Sequence, residues 1–331
     1  MRTRRLVLMS ALLVAGLMAS APRASAQTTI SSCGTISSSG SYILTKNLSS
    51  LTNCLIVAAS DVTLDLAGFT IFGSHAGSGI TDLGTGRSLI VVRNGAVVGF
   101  KVGIALGASN NVQIDRMLVS GNTNDGINGG QYAEVHHTRS HSNGGNGVVL
   151  GGDSEVTDSR TSANLLRGIV VGQQARVIGN LSNNNTGTGI ATLDRAMVSG
   201  NQASSNKGDG IAVGTGADII GNTANLNKGN GISVEGVSLV RDNVTNFDAT
   251  GIFGDEGGSL VNNQSFGNSK DGINTNAGSK VLLSGNSSSG NTAGFGIVAT
   301  CPSNLVGNIE AGNKHPTNLI GIGCTVSDNN L

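Results

Sequence analysis

Residues 168–188 read GIVVGQQARVIGNLSNNNTGT, residues 189–209 read GIATLDRAMVSGNQASSNKGD, and residues 210–230 read GIAVGTGADIIGNTANLNKGN. Each block of 21 residues opens on Gly-Ile and carries valine or isoleucine eight positions after that isoleucine. Working outward, the apolar member of the opening pair falls at Ile80, Ile104, Ile127, Val148, Ile169, Ile190, Ile211, Ile232, Ile252, Ile273, Ile297 and Ile322. Successive spacings are 24, 23, 21, 21, 21, 21, 21, 20, 21, 24 and 25. The second anchor recurs as Val135, Val156, Val177, Val198, Ile219, Val240 and Leu260. Polar or small neighbours flank it, the pattern of a short strand with one inward side chain.

Two asparagine columns complete the unit. Asn180, Asn201, Asn222, Asn243 and Asn263 share one offset; Asn143, Asn164, Asn185, Asn206, Asn227, Asp248 and Asn268 share another. Asparagine tolerates left-handed backbone at corners and, stacked coil on coil, forms amide ladders. Ser182, Ala203, Ala224, Thr245 and Ser265, between the columns, suit a tightly packed turn.

A period of 20–25 residues with three short strands and glycine or asparagine corners describes a parallel β-solenoid. Leucine-rich repeats lack their leucine skeleton here, tandem GGxGxD is absent, and hexapeptide coils would give multiples of six. The expectation is an all-β, single-domain, right-handed parallel β-helix of about 12 coils of ~21 residues. Composition agrees. Of 331 residues, 51 are glycine and 3 proline, too few for collagen, while 38% are hydrophobic, too many for generic disorder. Lys+Arg (20) equals Asp+Glu (20), so no basic nucleic-acid surface is expected.

The N-terminus reads as an address. Arg2, Arg4 and Arg5 precede an apolar run from Leu6 to Ala19, and Ala24-Ser25-Ala26 forms a small-residue cleavage site. The expected layout is a signal peptide at 1–26, a cap and first coils at 27–79, repeats at 80–322 and a tail at 323–331. Cleavage would leave 16 basic against 20 acidic groups, a charge of −4, and no later stretch reads as a membrane span. The protein is expected to be exported, with periplasm and extracellular space both open.

Cys33 and Cys54 lie 21 residues apart, and Cys301 and Cys324 lie 23 apart, one coil in each case. Residues one coil apart stack about 4.8 Å from each other, within disulfide reach, so Cys33–Cys54 and Cys301–Cys324 are the expected pairs. No CxxC spacing supports a metal site.

The segments Cys33-Gly34-Thr35-Ile36, Gly40-Ser41-Tyr42-Ile43-Leu44, Asn53-Cys54-Leu55-Ile56 and Val62-Thr63-Leu64-Asp65-Leu66-Ala67-Gly68 resemble the opening of exported bacterial β-helix proteins. These belong to the pectate-lyase-like superfamily. The resemblance spans essentially the whole chain after residue 26, and the handedness rests on it. It implies a fold shared by pectate and alginate lyases, polygalacturonases, mannuronan epimerases, copper-site maturation proteins, tailspikes and non-catalytic surface proteins. Function must therefore come from the site.

Coils between Arg87 and Arg167 depart from the plain Asn/Gly/Ser pattern. Arg139 and Arg160 share an offset, and Arg116 joins them if its coil is aligned on Val112. Asp115, Glu134, His136, His137, His141, Asp153, Glu155 and Asp158 lie in the same coils. Arginine pairs bidentately with a uronate carboxylate, and a histidine or arginine base could take the C5 proton of such a sugar. The candidate catalytic residues are Arg139, His137, Arg116 and Arg160; the candidate substrate contacts are Asp115, Glu134, His136 and Asp158. Lyase chemistry would bring calcium as cofactor; otherwise the residues name none. The rival reading is a surface ladder of ion pairs. Strand alternation places His136 and His137 on opposite faces, which counts against a histidine metal site.

Two tyrosines, no tryptophan and seven scattered phenylalanines offer few sugar platforms. The tyrosine-glycine and Asp-Pro-His block of the epimerases is absent, as is the Asn-x-Asp and Gly-His-Gly set of the polygalacturonases. Coils of 20 or 21 residues leave little room for cleft loops. The expected function is binding or processing of an extracellular or cell-envelope polysaccharide, uronate-containing if catalytic, along one sheet face. A non-catalytic structural or adhesive surface protein is the alternative.

Overall fold

The computed structural model describes residues 27–330 apart from 83, 85, 255 and 277; the expected signal peptide lies outside the described residues. A regular coil contains three short strands, as in Ile169–Val171, Arg176–Ile178 and Leu181–Asn183, while Ser88–Val98 and Asn110–Ser120 each run through the second and third positions of their coils. First strands stack into a 14-stranded sheet, here called the anchor sheet, while second and third strands join a 26-stranded one. Ile169 lies against Val148 and Ile190, Val177 against Val156 and Val198, and Ser182 against Thr161 and Ala203, all in parallel register. No described helix is long and apolar enough to cross a membrane.

The described residues make 14 coils rather than about 12. Gly34–Ile36 and Leu55–Val57 add two anchor strands before Ile80. The last anchor strand is Asn318–Ile320, paired through Leu319 with Ala299, so Ile322 is not an anchor and stands 92% exposed. Fourteen coils about 4.8 Å apart make a rod of roughly 60 Å.

The core is three columns of inward side chains. Ile127 to Ile297 form the first and Val135 to Leu260 the second, all buried. The third differs from expectation. Ser182, Ala203, Ala224, Thr245 and Ser265 are the inward residues of third strands, not of a turn. Buried hydroxyls are tolerated there because they have partners: Ser182 Oγ donates to Gly189 O at 2.7 Å, and Ser265 Oγ to Gly272 O at 2.8 Å.

The same contact explains the glycine of the Gly-Ile pair. A Cβ on Gly168 would lie 2.0 Å from Ser182 Oγ and 2.6 Å from Gly189 O. The position is closed to any side chain by the approach of the third strand and the next coil.

Both asparagine columns are buried amide ladders. Asn180 Nδ2 donates to Asn201 Oδ1 at 3.0 Å, and Asn201 to Asn222 and Asn222 to Asn243 likewise. Asn143, Asn164, Asn185, Asn206 and Asn227 repeat the arrangement. The left-handed corner conformation belongs to the residue before each ladder position, as at Gly179 and Asn184 (φ 67° and 56°). The disulfides Cys33–Cys54 and Cys301–Cys324 form as expected, with Cα atoms 4.6 and 4.9 Å apart.

Candidate functional site

The corner between second and third strands carries the charged residues. Its left-handed position is Arg116, His137 and Asp158 in three successive coils, then Gly179, Gly200 and Gly221. Register places Ile114 against Val135 and Leu118 against Arg139, so Arg116 stacks with His137 and not with Arg139. The inward anchor of that coil is Ile114, two residues beyond the Val112 used for alignment.

The corner conformation also overturns the alternation expected at His136 and His137. Val135 points inward, His136 outward, and His137 leaves the strand at φ 48°, so both rings are outside, 6.4 Å apart. Asp115 gathers the cluster, with Arg116 Nη2 at 2.8 Å and His137 Nδ1 at 3.1 Å; His137 Nε2 is 4.0 Å from Asp158. His136 Nε2 is 3.3 Å from Glu134 and its Nδ1 meets Thr157 Oγ1. Neighbouring pairs Arg93–Asp65 and Glu155–Arg176, each at 3.0 Å, extend the ladder of opposite charges. Six of the eight predicted site residues are thus brought together, three carboxylates with one arginine and two histidines.

Arg139 and Arg160 stand apart from this cluster. They are stacked neighbours in the third-strand register, exposed, and neither makes an ion pair among the described residues. Partial burial, and then the Arg139 guanidinium, hold His141 below its ordinary pKa. Where the corner shrinks from Asp158 to Gly179 and Gly200, a depression of about 270 Å³ opens beside Arg160 and Gln202. Among the described residues, no three His, Cys, Asp or Glu side chains converge as metal ligands.

A larger concavity lies on the anchor sheet, and charge-led reading of the sequence missed it. Its volume is about 390 Å³. Outward residues of successive anchor strands form the floor: Val170, Ala191, Ala212 and Ser233 stack in line, with Phe253 next. One wall is Arg167 and Thr188, from the turns entering the strands; the other is Leu193, Asp194 and Glu235, from the turns leaving them. Asp209 follows in the Arg167–Thr188 column; burial pushes its carboxyl above the usual range, against the hydrogen bond from Asn230 N–H. The sequence signal was available: the residue after each anchor shrinks from valine to alanine to serine.

Residues 78–224 match the family described as "Right handed beta helix region". The chain is a right-handed parallel β-helix. Among solved structures, the A-module of Azotobacter vinelandii mannuronan C-5 epimerase AlgE4 is similar at 17% identity and TM-score 0.57, covering 87% of this chain and 91% of that one. The AlgE6 A-module from the same organism is similar at 20% identity and TM-score 0.56, covering 88% and 90%. A mutant of the periplasmic alginate epimerase AlgG follows at 12% identity and TM-score 0.50, covering 83% and 78%. No curated protein sequence matches the chain. These likenesses concern the β-helix as a fold.

Proposed function

We propose that this β-helix is an exported protein, released from a signal peptide at residues 1–26, that holds an extended polysaccharide in the groove of its anchor sheet. The observation that carries this reading is the groove itself, which runs lengthwise over several coils with a floor of small side chains. A pyranose ring has apolar faces and hydroxyl edges. Val170, Ala191 and Ala212 suit the faces, and Thr188, Asp194 and Glu235 suit the hydroxyls. Phe253, one coil beyond Ser233, adds a ring platform in line with the floor. Arg167 is the residue for a sugar carboxylate. Because two of the similar structures are described as mannuronan epimerases, mannuronan and alginate are the first polymers to offer.

The second reading places a uronate on the corner, and the stacked Arg139 and Arg160, without an ion pair among the described residues, favour it. There the arginines would take the carboxylate, His137 would take the C5 proton, Arg116 would offset the charge that forms, and Asp115, Glu134, His136 and Asp158 would position the rings. Elimination there would form the C4–C5 double bond as the C4–O4 bond breaks, with solvent supplying the proton to the departing oxygen.

Calorimetric titration with mannuronan and neutral oligosaccharides separates the two. Ala212→Trp, which fills the groove, should weaken binding at least about tenfold, or ~1.4 kcal/mol, while Arg139→Ala/Arg160→Ala leaves it unchanged. The reverse pattern, with an ultraviolet-absorbing unsaturated product in calcium, would support the corner. Wild-type protein that binds no polymer overturns both.

A further inference from the structure

The phenylalanines are not all scattered. Phe247 and Phe266 meet across adjacent coils, edge to face, with ring centroids 5.5 Å apart and planes at 83°. Phe247 stands on the corner between the third strand and the anchor sheet, in the column of Leu226 of the coil before, and Phe266 ends the next third strand, Gln264–Phe266, one position short of that corner. All three are exposed, at 55% for Leu226, 52% for Phe247 and 48% for Phe266.

Leu226 and Phe247 also hold left-handed backbone, at φ 59° and 55°. Equivalent corners elsewhere use Ser142, Ala163, Asn184 and Ser205, or glycine. A bulky side chain is strained in that conformation, and half of its apolar surface stays in water. The fold gains only the ring contact in return, because the buried ladder residues are the next ones along, Asn227 and Asp248.

Charge indicates what the ridge meets. The turns it belongs to expose Lys207, Lys228 and Lys270. Their acids are less exposed and hydrogen-bonded: Asp209, half-buried, accepts from Asn230 N–H, Asp248 is buried, and Asp271, half-buried, accepts from Phe295 N–H and Asn274 Nδ2. The exposed charge of these turns is therefore positive. A second copy docked face to face would oppose lysine to lysine.

We propose that Leu226, Phe247 and Phe266, with Lys207 and Lys228, form a second contact for an acidic glycan, outside the groove floor. Pyranose faces stack on the rings while sugar carboxylates pair with the lysines. The class of occupant rests on the polysaccharide reading; the site does not.

The test uses the full chain with Phe247→Ser/Phe266→Ser, serine being the residue of other coils at the Phe247 corner. Thermal unfolding should change little, because the strain relieved at residue 247 offsets the lost ring contact. Binding of oligomannuronate should weaken at least about fivefold. In a separate Lys207→Gln/Lys228→Gln variant, preference for the acidic over the neutral oligosaccharide and the salt dependence of binding should both fall. A wild-type protein that binds but a phenylalanine variant that binds equally would overturn the ridge alone. Loss of binding only in Ala212→Trp would do the same. No glycan binding by the wild type would overturn ridge and groove together. A dimer in sedimentation that the phenylalanine variant dissociates would assign the ridge to self-association instead.

Discussion

At the residue scale, Asp248 shows how strictly the ladders specify hydrogen-bond direction. It stands where adjacent coils place Asn227 and Asn268, and its Oδ1 accepts from Asn227 Nδ2 at 2.9 Å. An asparagine would donate onward; Asp248 Oδ2 is instead buried with no partner. Burial raises its pKa from 3.8 to about 7, against hydrogen bonds from Asn227 and Asn246 and with some repulsion from Asp209. The folded state thus binds the proton more tightly than the unfolded chain. This group's contribution to stability is whole below about pH 4 and is lost as pH rises through about 7. Asp248→Asn should differ little from wild type in urea unfolding at pH 4 and be roughly 2–4 kcal/mol more stable at pH 8.5. A difference independent of pH would contradict this. The column itself was legible in the sequence, including its one acid. The donor lost at the acid was not, because recurrence shows which residues stack but not which way their amides point.

At the element scale, glycine has two separate roles that sequence spacing alone merges. Gly210 opens an anchor strand, and a Cβ there would lie 2.6 Å from Gly231 O and 2.7 Å from Asn227 Nδ2. Gly200 holds a left-handed corner at φ 64° with open space around it. Gly210→Ala should therefore destabilise by about 1–3 kcal/mol through overpacking. Gly200→Asn should cost less than about 1 kcal/mol, since Asn262 already holds the same corner in another coil. Equal costs in denaturant unfolding would show that one mechanism governs both. The anchors from Ile80 to Ile297 were legible because inward residues recur with the coil. Ile322 misled because Gly-Ile reappeared where the strand had already ended at Ile320. Arg116 was placed in the wrong column because Val112 and Ile114 both point inward in the long strand Asn110–Ser120.

At the scale of the whole molecule, each coil is held chiefly by its two neighbours, so the ends depend on added restraint. Cys301→Ser/Cys324→Ser should cost about 2–4 kcal/mol and act locally. Amide exchange should quicken in Asn304–Val306 and Thr325–Ser327 while Arg176–Ile178 in the centre is unaffected. Uniform loss of protection along the rod would contradict that picture. Fold and staples were legible because they rest on periodicity. The groove was legible only as a faint signal, because it arises from what successive coils lack: its floor is a run of small outward residues beside walls set by turns. Charged side chains drew attention to a corner where Asp115, Arg116 and His137 are engaged with one another.

The central claim is that glycan binding belongs to the anchor sheet. Hydrogen-exchange footprinting with and without oligomannuronate tests it most directly. The account predicts slowed exchange at Ile190–Thr192, Ile211–Val213 and Ile232–Val234 and in the turns on either side of them. Glu134–His136 and Arg139–His141 should exchange unchanged. Protection confined to those corner strands, or none anywhere on the rod, would contradict it.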